Sequence, residues 1–269
     1  MKLAEFIGEL RETVLPNFSD SLEFVSHITG IPYRELSLHM SDEITVSDTT
    51  EKLIERLRQS EPLAYVINNK NFYGLDIYTD QRVLIPRPET EVLAEEAVRL
   101  AKEHGYSTLL DICTGSGCIP CAVLSECPEM RADIMDISRD ALYAAETNMS
   151  RYACGRFTLV LADALTYSFP KRYDLVTCNP PYLSEDEWET SDKSLKFEPK
   201  NALSAGDDAV VFYKKLIDMI PYLCNKNGAA LFELGAGQAD IIRGLFPDGK
   251  FRFIRDYQNI ERVLVWINS

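Results

Sequence analysis

Within this 269-residue chain, Asn179-Pro180-Pro181-Tyr182 is the run whose residue types most directly specify a reaction. The two prolines fix the backbone and remove two N–H donors, so carbonyl oxygens and the Asn179 side chain are what the run presents. Such oxygens accept hydrogen bonds from an –NH₂ group, and Tyr182 offers a flat face on which a planar acceptor stacks. An amide nitrogen is a poor nucleophile because its lone pair is delocalised. Acceptors at Asn179 and the Pro180 carbonyl would draw density toward it and stabilise the positive charge that grows there. In-line displacement then needs the donor carbon aligned about 3–3.5 Å away. We take Asn179, Pro180 and Tyr182 as candidate catalytic residues, and Asn179, Pro180, Pro181 and Tyr182 as the candidate substrate clamp. The chemistry calls for no histidine or metal; His27, His39 and His104 lie beside none of the motifs.

A donor must be held next to that clamp. Leu109-Leu110-Asp111-Ile112-Cys113-Thr114-Gly115-Ser116-Gly117 reads as a strand running into a helix, and open α/β sheets bind ligands beyond the carboxyl ends of their strands. Gly115 and Gly117 can adopt positive φ and let a ligand approach the backbone. A glycine pair alone is as readily a tight turn. The next strand ends at Asp136, which can accept from two ribose hydroxyls or cap the helix that follows, as can Ser138. Asp163 and Ala164 end the strand after that, where a carboxylate and a backbone N–H can meet an adenine ring. Gly115, Gly117, Asp136, Asp163 and Ala164 are thus the candidate cofactor residues that this reading supplies. The cofactor they suit is S-adenosylmethionine, and the chemistry is methyl transfer to a planar amide or amine nitrogen.

The elements that must position these residues are legible in the pattern. From residue 108 onward strands and helices alternate. We expect strands over 108–112, 131–137, 157–161, 173–178, 229–234, 251–255 and 262–267. Helices are expected over 118–126, 139–152 and 207–222, and from the strand ending at 234 through 246. This gives a doubly wound α/β sheet of seven strands, mostly parallel, with right-handed crossovers. The turn before the last strand is too short for a crossover helix, so the final pair should be antiparallel. Residues 1–61 read as a helical bundle, with Leu3, Phe6, Ile7 and Leu10 at helical spacing and Ser47 as a cap. Residues 62–82 read as a β-hairpin linker, with 64–67 and 72–78 as strands around a polar turn at 68–71. Pro86 and Pro88 then stiffen the lead-in to a helix from about 90 to 104, and residues 83–269 form the catalytic domain. The long segment 183–206 is expected to be a loop that orders with substrate.

Composition narrows the partners. Lys and Arg total 28 against 42 Asp and Glu, a net charge of −14. Nucleic-acid binders draw most of their affinity from phosphate contacts, so this balance disfavours them. No apolar run approaches the ~18 residues needed to cross a bilayer, and the N-terminus lacks an apolar signal core. Seven cysteines, an odd number, fit thiols in a reducing compartment. Cys118 and Cys121 form a C-x-x-C, which we read as small apolar residues packing a helix rather than metal ligands. The expectation is a cytoplasmic monomer.

Nearly the whole chain resembles the release-factor glutamine N5-methyltransferases. The resemblance is carried by Leu63-Ala64-Tyr65-Val66-Ile67, Phe72-Tyr73-Gly74-Leu75 and Leu84-Ile85-Pro86-Arg87-Pro88-Glu89-Thr90-Glu91. It continues through Asp136-Ile137-Ser138, Asn179-Pro180-Pro181-Tyr182, Glu198-Pro199, Ala202-Leu203 and Phe232-Glu233-Leu234-Gly235 with Gln238. It implies methylation of the glutamine in the Gly-Gly-Gln motif of peptide-chain release factors. It also implies cofactor contacts from residues 113–117, Asp136 and Asn179. Two positions depart from the family pattern. Cys113 stands where the family loop has its first glycine, and Gln258-Asn259-Ile260 lacks the glycine of the last turn. An adenine N6-methyltransferase of nucleic acid is the alternative, since the same clamp can hold an adenine amino group. A sensor that only binds the cofactor would have no use for the clamp. A nicotinamide dehydrogenase would want a G-x-G-x-x-G fingerprint that residues 113–118 lack.

Overall fold

The computed structural model describes residues 1–206, 209–246 and 251–268, with the side chains of residues 209 and 211 left aside. The chain divides into two compact units, Met1–Asn69 with Asp192–Phe197, and Lys70–Ser191 with Glu198–Ser269.

In the first unit, α1 (Leu3–Thr13) buries Leu3, Phe6, Ile7 and Leu10 along one stripe. The side chain of Asn17 caps α2 (Phe18–Thr29), and Gly30 ends that helix at φ 72°. Ser47 caps α3 (Asp48–Arg58). These helices close on a core that includes Phe24, Val25, Leu36, Ile54 and Leu57. Residues 64–67 are not the strand expected of their β-branched and aromatic types. Pro62 leads instead into a single helical turn, α4 (Leu63–Val66). Arg56 explains the choice. Its guanidinium forks onto both Glu61 carboxylate oxygens at 2.7 Å and also donates to the Tyr65 and Val66 carbonyls at 3.0 and 3.3 Å. A helical turn frees those carbonyls, and burial of Tyr65 and Val66 overrides their β preference.

The hairpin is present but shifted. Its strands are β1 (Lys70–Phe72) and β2 (Leu75–Ile77), with Phe72 opposite Leu75. Tyr73 and Gly74, at φ 54° and 75°, form the two-residue turn, in the positive-φ pair that suits the twist of a hairpin. Pro88 occupies the first turn of α5 (Pro88–His104), where its missing N–H costs nothing, and Gly105 stops the helix at φ 66°.

The remaining elements are β3 (Thr108–Ile112), α6 (Cys118–Glu126), β4 (Arg131–Asp136), α7 (Arg139–Tyr152), β5 (Phe157–Leu161), β6 (Tyr173–Cys178), α8 (Glu185–Glu189) and α9 (Lys200–Leu203). They continue with α10 (Ala209–Leu223), β7 (Cys224–Glu233), α11 (Gln238–Leu245), β8 (Phe251–Arg255) and β9 (Glu261–Ile267). The strand order is β5-β4-β3-β6-β7-β9-β8. All pairs are parallel except β7–β9 and β8–β9, as the short last turn requires. One face packs on α5, α6 and α7 through residues such as Leu93, Ala97, Cys121 and Met149. The other packs on α10 and α11 through Tyr213, Leu216 and Ile242. The expected start of the helix at 207 lies outside the described residues. β7 begins five residues earlier than expected, at Cys224.

The last turn accommodates its missing glycine with Asn259 at φ 62°, a conformation Asn tolerates. Asp256 holds it by accepting from the Gln258 and Ile260 N–H groups, both at 2.9 Å. Segment 183–206 is not a bare loop. It carries α8, a 3₁₀ turn (Lys193–Phe197) and α9, and Leu183 bridges Ser204 as a short parallel pair. Ser184 and Glu187 cap α8 reciprocally, and the Lys200 ammonium sits 4.4 Å over the Trp188 ring.

Candidate active site

Parallel register brings the motifs to one edge. Ile112 pairs with Met135 and with Cys178, and Asp136 pairs with Leu161, so the residues that follow emerge side by side. Beyond them lies a cavity of about 450 Å³, within the range of about 300–1,000 Å³ usual for small-molecule sites. Of the residues singled out by sequence, Cys113, Thr114, Gly115, Ser116, Asp136, Asp163, Ala164, Asn179 and Pro181 line it. Gly117, Pro180 and Tyr182 do not.

Gly117 has a different task. It starts α6 at φ 76°, and a Cβ there would lie 3.2 Å from the Ala145 Cβ and 3.3 Å from its Cα. Its bare backbone lets α6 and α7 approach closely beside the loop. Asp136 ties the loop to β4. One carboxylate oxygen accepts from the Gly115 N–H at 3.0 Å, the other from Ser138 N–H at 2.9 Å. Burial pushes its carboxyl above the ordinary range, against those same N–H bonds. Sequence reasoning missed Asn148, an almost fully buried side chain on α7. It donates to the Ser116 and Tyr78 carbonyls at 2.8 and 3.0 Å, and accepts from the Tyr78 N–H at 2.8 Å. A buried polar residue on an otherwise apolar helix face was its only signal.

Cys113 sits at φ 57°, the conformation the family's glycine would take without strain. A left-handed residue with a Cβ costs roughly 1–2 kcal/mol. The thiol is half-buried against the α10 side core, which offsets part of that. Cys113→Gly is therefore expected to stabilise the protein by about 0.5–1 kcal/mol, read as a rise in the denaturant midpoint. A lower midpoint would show that the thiol's packing outweighs the backbone strain.

Two carboxyls are fully enclosed beneath the site. The Thr177 hydroxyl donates to Asp111 Oδ1 at 2.6 Å, while Asp111 Oδ2 and the Thr114 hydroxyl have no partner of good geometry. Burial pushes Asp111 up to about 7, with the Asp136 charge adding to it and the Thr114 and Thr177 hydroxyls opposing. Glu233, at the end of β7, is likewise raised to about 7 by burial. The Thr90 hydroxyl, Arg262 and Arg87 pull it down, and Glu89 pushes it up. Both acids keep in the folded chain a proton that the unfolded chain releases near pH 4. Their contribution to stability is lost as pH rises through about 7. Burial lowers His27 below 6.5, which acts in the opposite sense and only below that pH. Stability is expected to fall by roughly 1 kcal/mol per buried acid between pH 6.5 and 8. A melting temperature a few degrees lower at pH 8 would register it, and Asp111→Asn should halve the slope. A flat profile would mean that both groups are ionised throughout.

On the acceptor side, Asn179 follows β6 half-buried in the cavity wall, and its Nδ2 donates to the Thr90 Oγ1 at 3.3 Å. Pro180 is buried. The Tyr182 ring packs partly on the core beside α10 instead of lining the cavity, and burial raises its phenol to about 12. Gln238 fixes the exits of β6 and β7 together. Its Oε1 accepts from Gly235 N–H at 2.7 Å and its Nε2 donates to the Tyr182 carbonyl at 3.1 Å. Glu198 is buried, pairs with Arg87 and accepts from the Ile85 N–H at 3.0 Å. It so anchors residues 85–87, of which Pro86 and Arg87 form part of the cavity wall with Thr90, Asn201, Ala202 and Phe212. The Arg-Pro-Glu-Thr-Glu run was visible in the sequence, but only as a family signature without a role.

Among the described residues no three His, Cys, Asp or Glu side chains gather as a metal site. Cys118 and Cys121 are buried, and burial raises both thiols. No described helix is long and apolar enough to cross a membrane.

Residues 90–216 match the family described as "Methyltransferase small domain". A release factor glutamine methyltransferase of Thermodesulfovibrio yellowstonii is 32% identical over 273 aligned positions, covering 98% of each chain. One from Streptococcus pneumoniae is 31% identical, again over 98% of each, and one from Chlorobaculum tepidum is 33% identical over 93% of this chain and 89% of its own. Among solved structures, the hMettl16 catalytic domain in complex with a 3′UTR hairpin aligns with a TM-score of 0.58 at 15% identity, over 91% of both chains. A ribosomal protein L11 methylase from Lactobacillus delbrueckii aligns at 0.51 and 17% identity, over 72% of this chain and 86% of its own. These two likenesses establish the sheet, not the substrate.

Proposed function

This chain belongs to the release factor glutamine methyltransferases, and from that premise we propose what its own residues do. It transfers a methyl group from S-adenosylmethionine to the side-chain amide nitrogen of the glutamine in the Gly-Gly-Gln motif of peptide-chain release factors. The observation that carries this reading is that Asn179 and Asp136 line one cavity with the turn of Cys113, Thr114, Gly115 and Ser116 between them.

The residues present suit the cofactor. Asp136 is a carboxylate acceptor at the end of β4, of a kind that suits two ribose hydroxyls. A Cβ on Gly115 would meet nothing within 4 Å, so the backbone there is open to a ligand. The unpartnered Thr114 hydroxyl and the acids Asp136, Asp140 and Asp163 suit a positively charged sulfonium. When bound, the cofactor would supply a methyl group on a cationic sulfonium, whose sulfur keeps the bonding pair and leaves as a neutral thioether. The Asn179 side-chain oxygen accepts from a glutamine N–H, aims the nitrogen and stabilises its growing positive charge. The N–H proton of a methylated, cationic amide is acidic far below neutrality and leaves to water, so no general base is required. Pro86, Arg87, Thr90 and Pro181 wall the acceptor side of the cavity. The helical first unit docks the protein substrate, and the enzyme acts in the cytoplasm as a monomer without touching nucleic acid.

The test is transfer of labelled methyl to purified, unmethylated release factor, with duplex DNA in a parallel reaction. Label on the release factor, lost when its Gly-Gly-Gln glutamine is replaced, supports the reading. Label on DNA alone would move the assignment to adenine.

A further inference from the structure

We infer that Asn148 is a positioning residue for the methyl donor, because its one amide holds the cofactor loop and a second wall of the cavity at a fixed separation. The inference rests on the cofactor proposed for this cavity. An asparagine inside a helix is unfavourable on two counts. Its helix propensity is below that of Ala or Leu, and a buried amide must find partners for its polar atoms. Asn148 is nevertheless 1% exposed on α7, among Ala141, Leu142, Ala144, Ala145 and Met149.

Its partners account for it. Nδ2 donates to the Ser116 carbonyl at 2.8 Å and to the Tyr78 carbonyl at 3.0 Å, and Oδ1 accepts from the Tyr78 N–H at 2.8 Å. This set fixes the amide, since a flipped one would face oxygen with oxygen and N–H with N–H. Each partner belongs to a different wall. Ser116 lines the cavity in the loop after β3. The first backbone bond of α6 runs from Cys121 to the Gly117 carbonyl, which leaves the Ser116 carbonyl outside the helix for Asn148 to satisfy. Ala145, three residues earlier on the same face of α7, lies against Gly117. Tyr78 follows the last residue of β2, Ile77. With its N–H and its carbonyl both on Asn148, the amide stands in for a partner strand where the ladder ends. From there the chain runs on to Gln81, Arg82, Leu84, Pro86 and Arg87, all of which line the cavity. Tyr152, one turn further along α7, clamps the same segment without touching the loop bond. Its hydroxyl accepts from the Asp76 N–H at 3.0 Å and donates to the Asp76 carbonyl at 2.9 Å. Asn179, which aims the acceptor, is held separately by Thr90. Loss of Asn148 should therefore show in cofactor affinity, where preorganised walls matter, and not in turnover.

The experiment compares wild type, Asn148→Leu, Asn148→Asp, Asn148→Ser and Tyr152→Phe. S-adenosylmethionine binding is measured by calorimetry on each, with methyl transfer to release factor and a denaturant midpoint alongside. Leucine keeps the bulk and removes all three bonds. Aspartate keeps the acceptor for Tyr78 and loses both donors, and serine keeps one donor. We expect cofactor Kd to rise by ~10–100-fold in Asn148→Leu and Asn148→Asp, with kcat at saturating cofactor and release-factor KM within ~3-fold of wild type. Asn148→Ser should fall between these and wild type. Tyr152→Phe loosens the same segment and lowers the midpoint, but its cofactor Kd should stay within ~2-fold. Should the leucine variant not fold, the aspartate and serine variants decide the matter by the same Kd and kcat readings. A Kd unchanged in folded Asn148 variants, or one raised as much in Tyr152→Phe, would overturn the inference alone. A wild-type chain that binds no S-adenosylmethionine would instead sink the cofactor reading, and the inference with it.

Discussion

Asn179→Ala is expected to reduce kcat for release-factor methylation by ~10³-fold or more while cofactor Kd moves by less than ~3-fold. Removing one preorganised hydrogen-bonding group aimed at developing charge typically costs ~10²–10³. Here the loss is compounded because the same group aims the nitrogen, and misplacing a reacting atom by about 1 Å costs a further factor of ~10². The ground state feels much less, because an amide accepts and donates in water almost as well as in the site. The cavity retains residues 113–116, Asp136 and Asp163, so cofactor retention follows. Single-turnover transfer of labelled methyl, with parallel calorimetry, separates the two effects. Wild-type turnover in the variant would remove Asn179 from the mechanism.

Asp136→Ala should act on the other substrate. Its cofactor Kd is expected to rise by ~10–100-fold, since hydrogen bonds to a charged group contribute about 1.5–3 kcal/mol each. Part of this comes from ribose contacts and part from the loop, whose Gly115 N–H loses its acceptor. Asp136→Asn distinguishes them. It can still accept from Gly115 through its amide oxygen, but it holds two ribose hydroxyls less well than a carboxylate does. A Kd unchanged in the alanine variant would refute the ribose assignment. A Kd fully restored in the asparagine variant would assign the effect to loop geometry.

How much of this was legible in the sequence differs by element. β3, α6, α7, β5 and β8 fall where alternation and caps place them, because each is framed by local signals: Gly117 before α6, Ser138 before α7. The antiparallel last pair followed from its short connection, whereas the strand order, set by long-range pairing, was not read from the sequence. Residues 64–67 were misjudged because their helical turn is imposed by Arg56, a partner whose position no local pattern encodes. The hairpin turn moved to Tyr73-Gly74 because Asn68-Asn69 looked the better turn by composition, while register was set by Phe72 and Ile77, both nearly fully buried. In the site, the strand-end residues were readable since topology alone brings strand ends together. Thr90, Asn148 and Glu198 were not given roles, because each acts through a hydrogen bond to a residue at least 32 positions away.

The wide spacing of Thr90, Asn179 and Glu233 along the chain also has a kinetic meaning. β3 must find β6 across dozens of residues, and β6 must find β7 across about as many, before the three side chains meet. Contacts so far apart in sequence are slow to form and come late in folding. During synthesis, a chain released only through residue 200 has both cofactor strands and Asn179, yet lacks the strand that carries Glu233. No methylating fragment should therefore exist short of the one that completes β7, the strand that pairs with β6 beside Asn179.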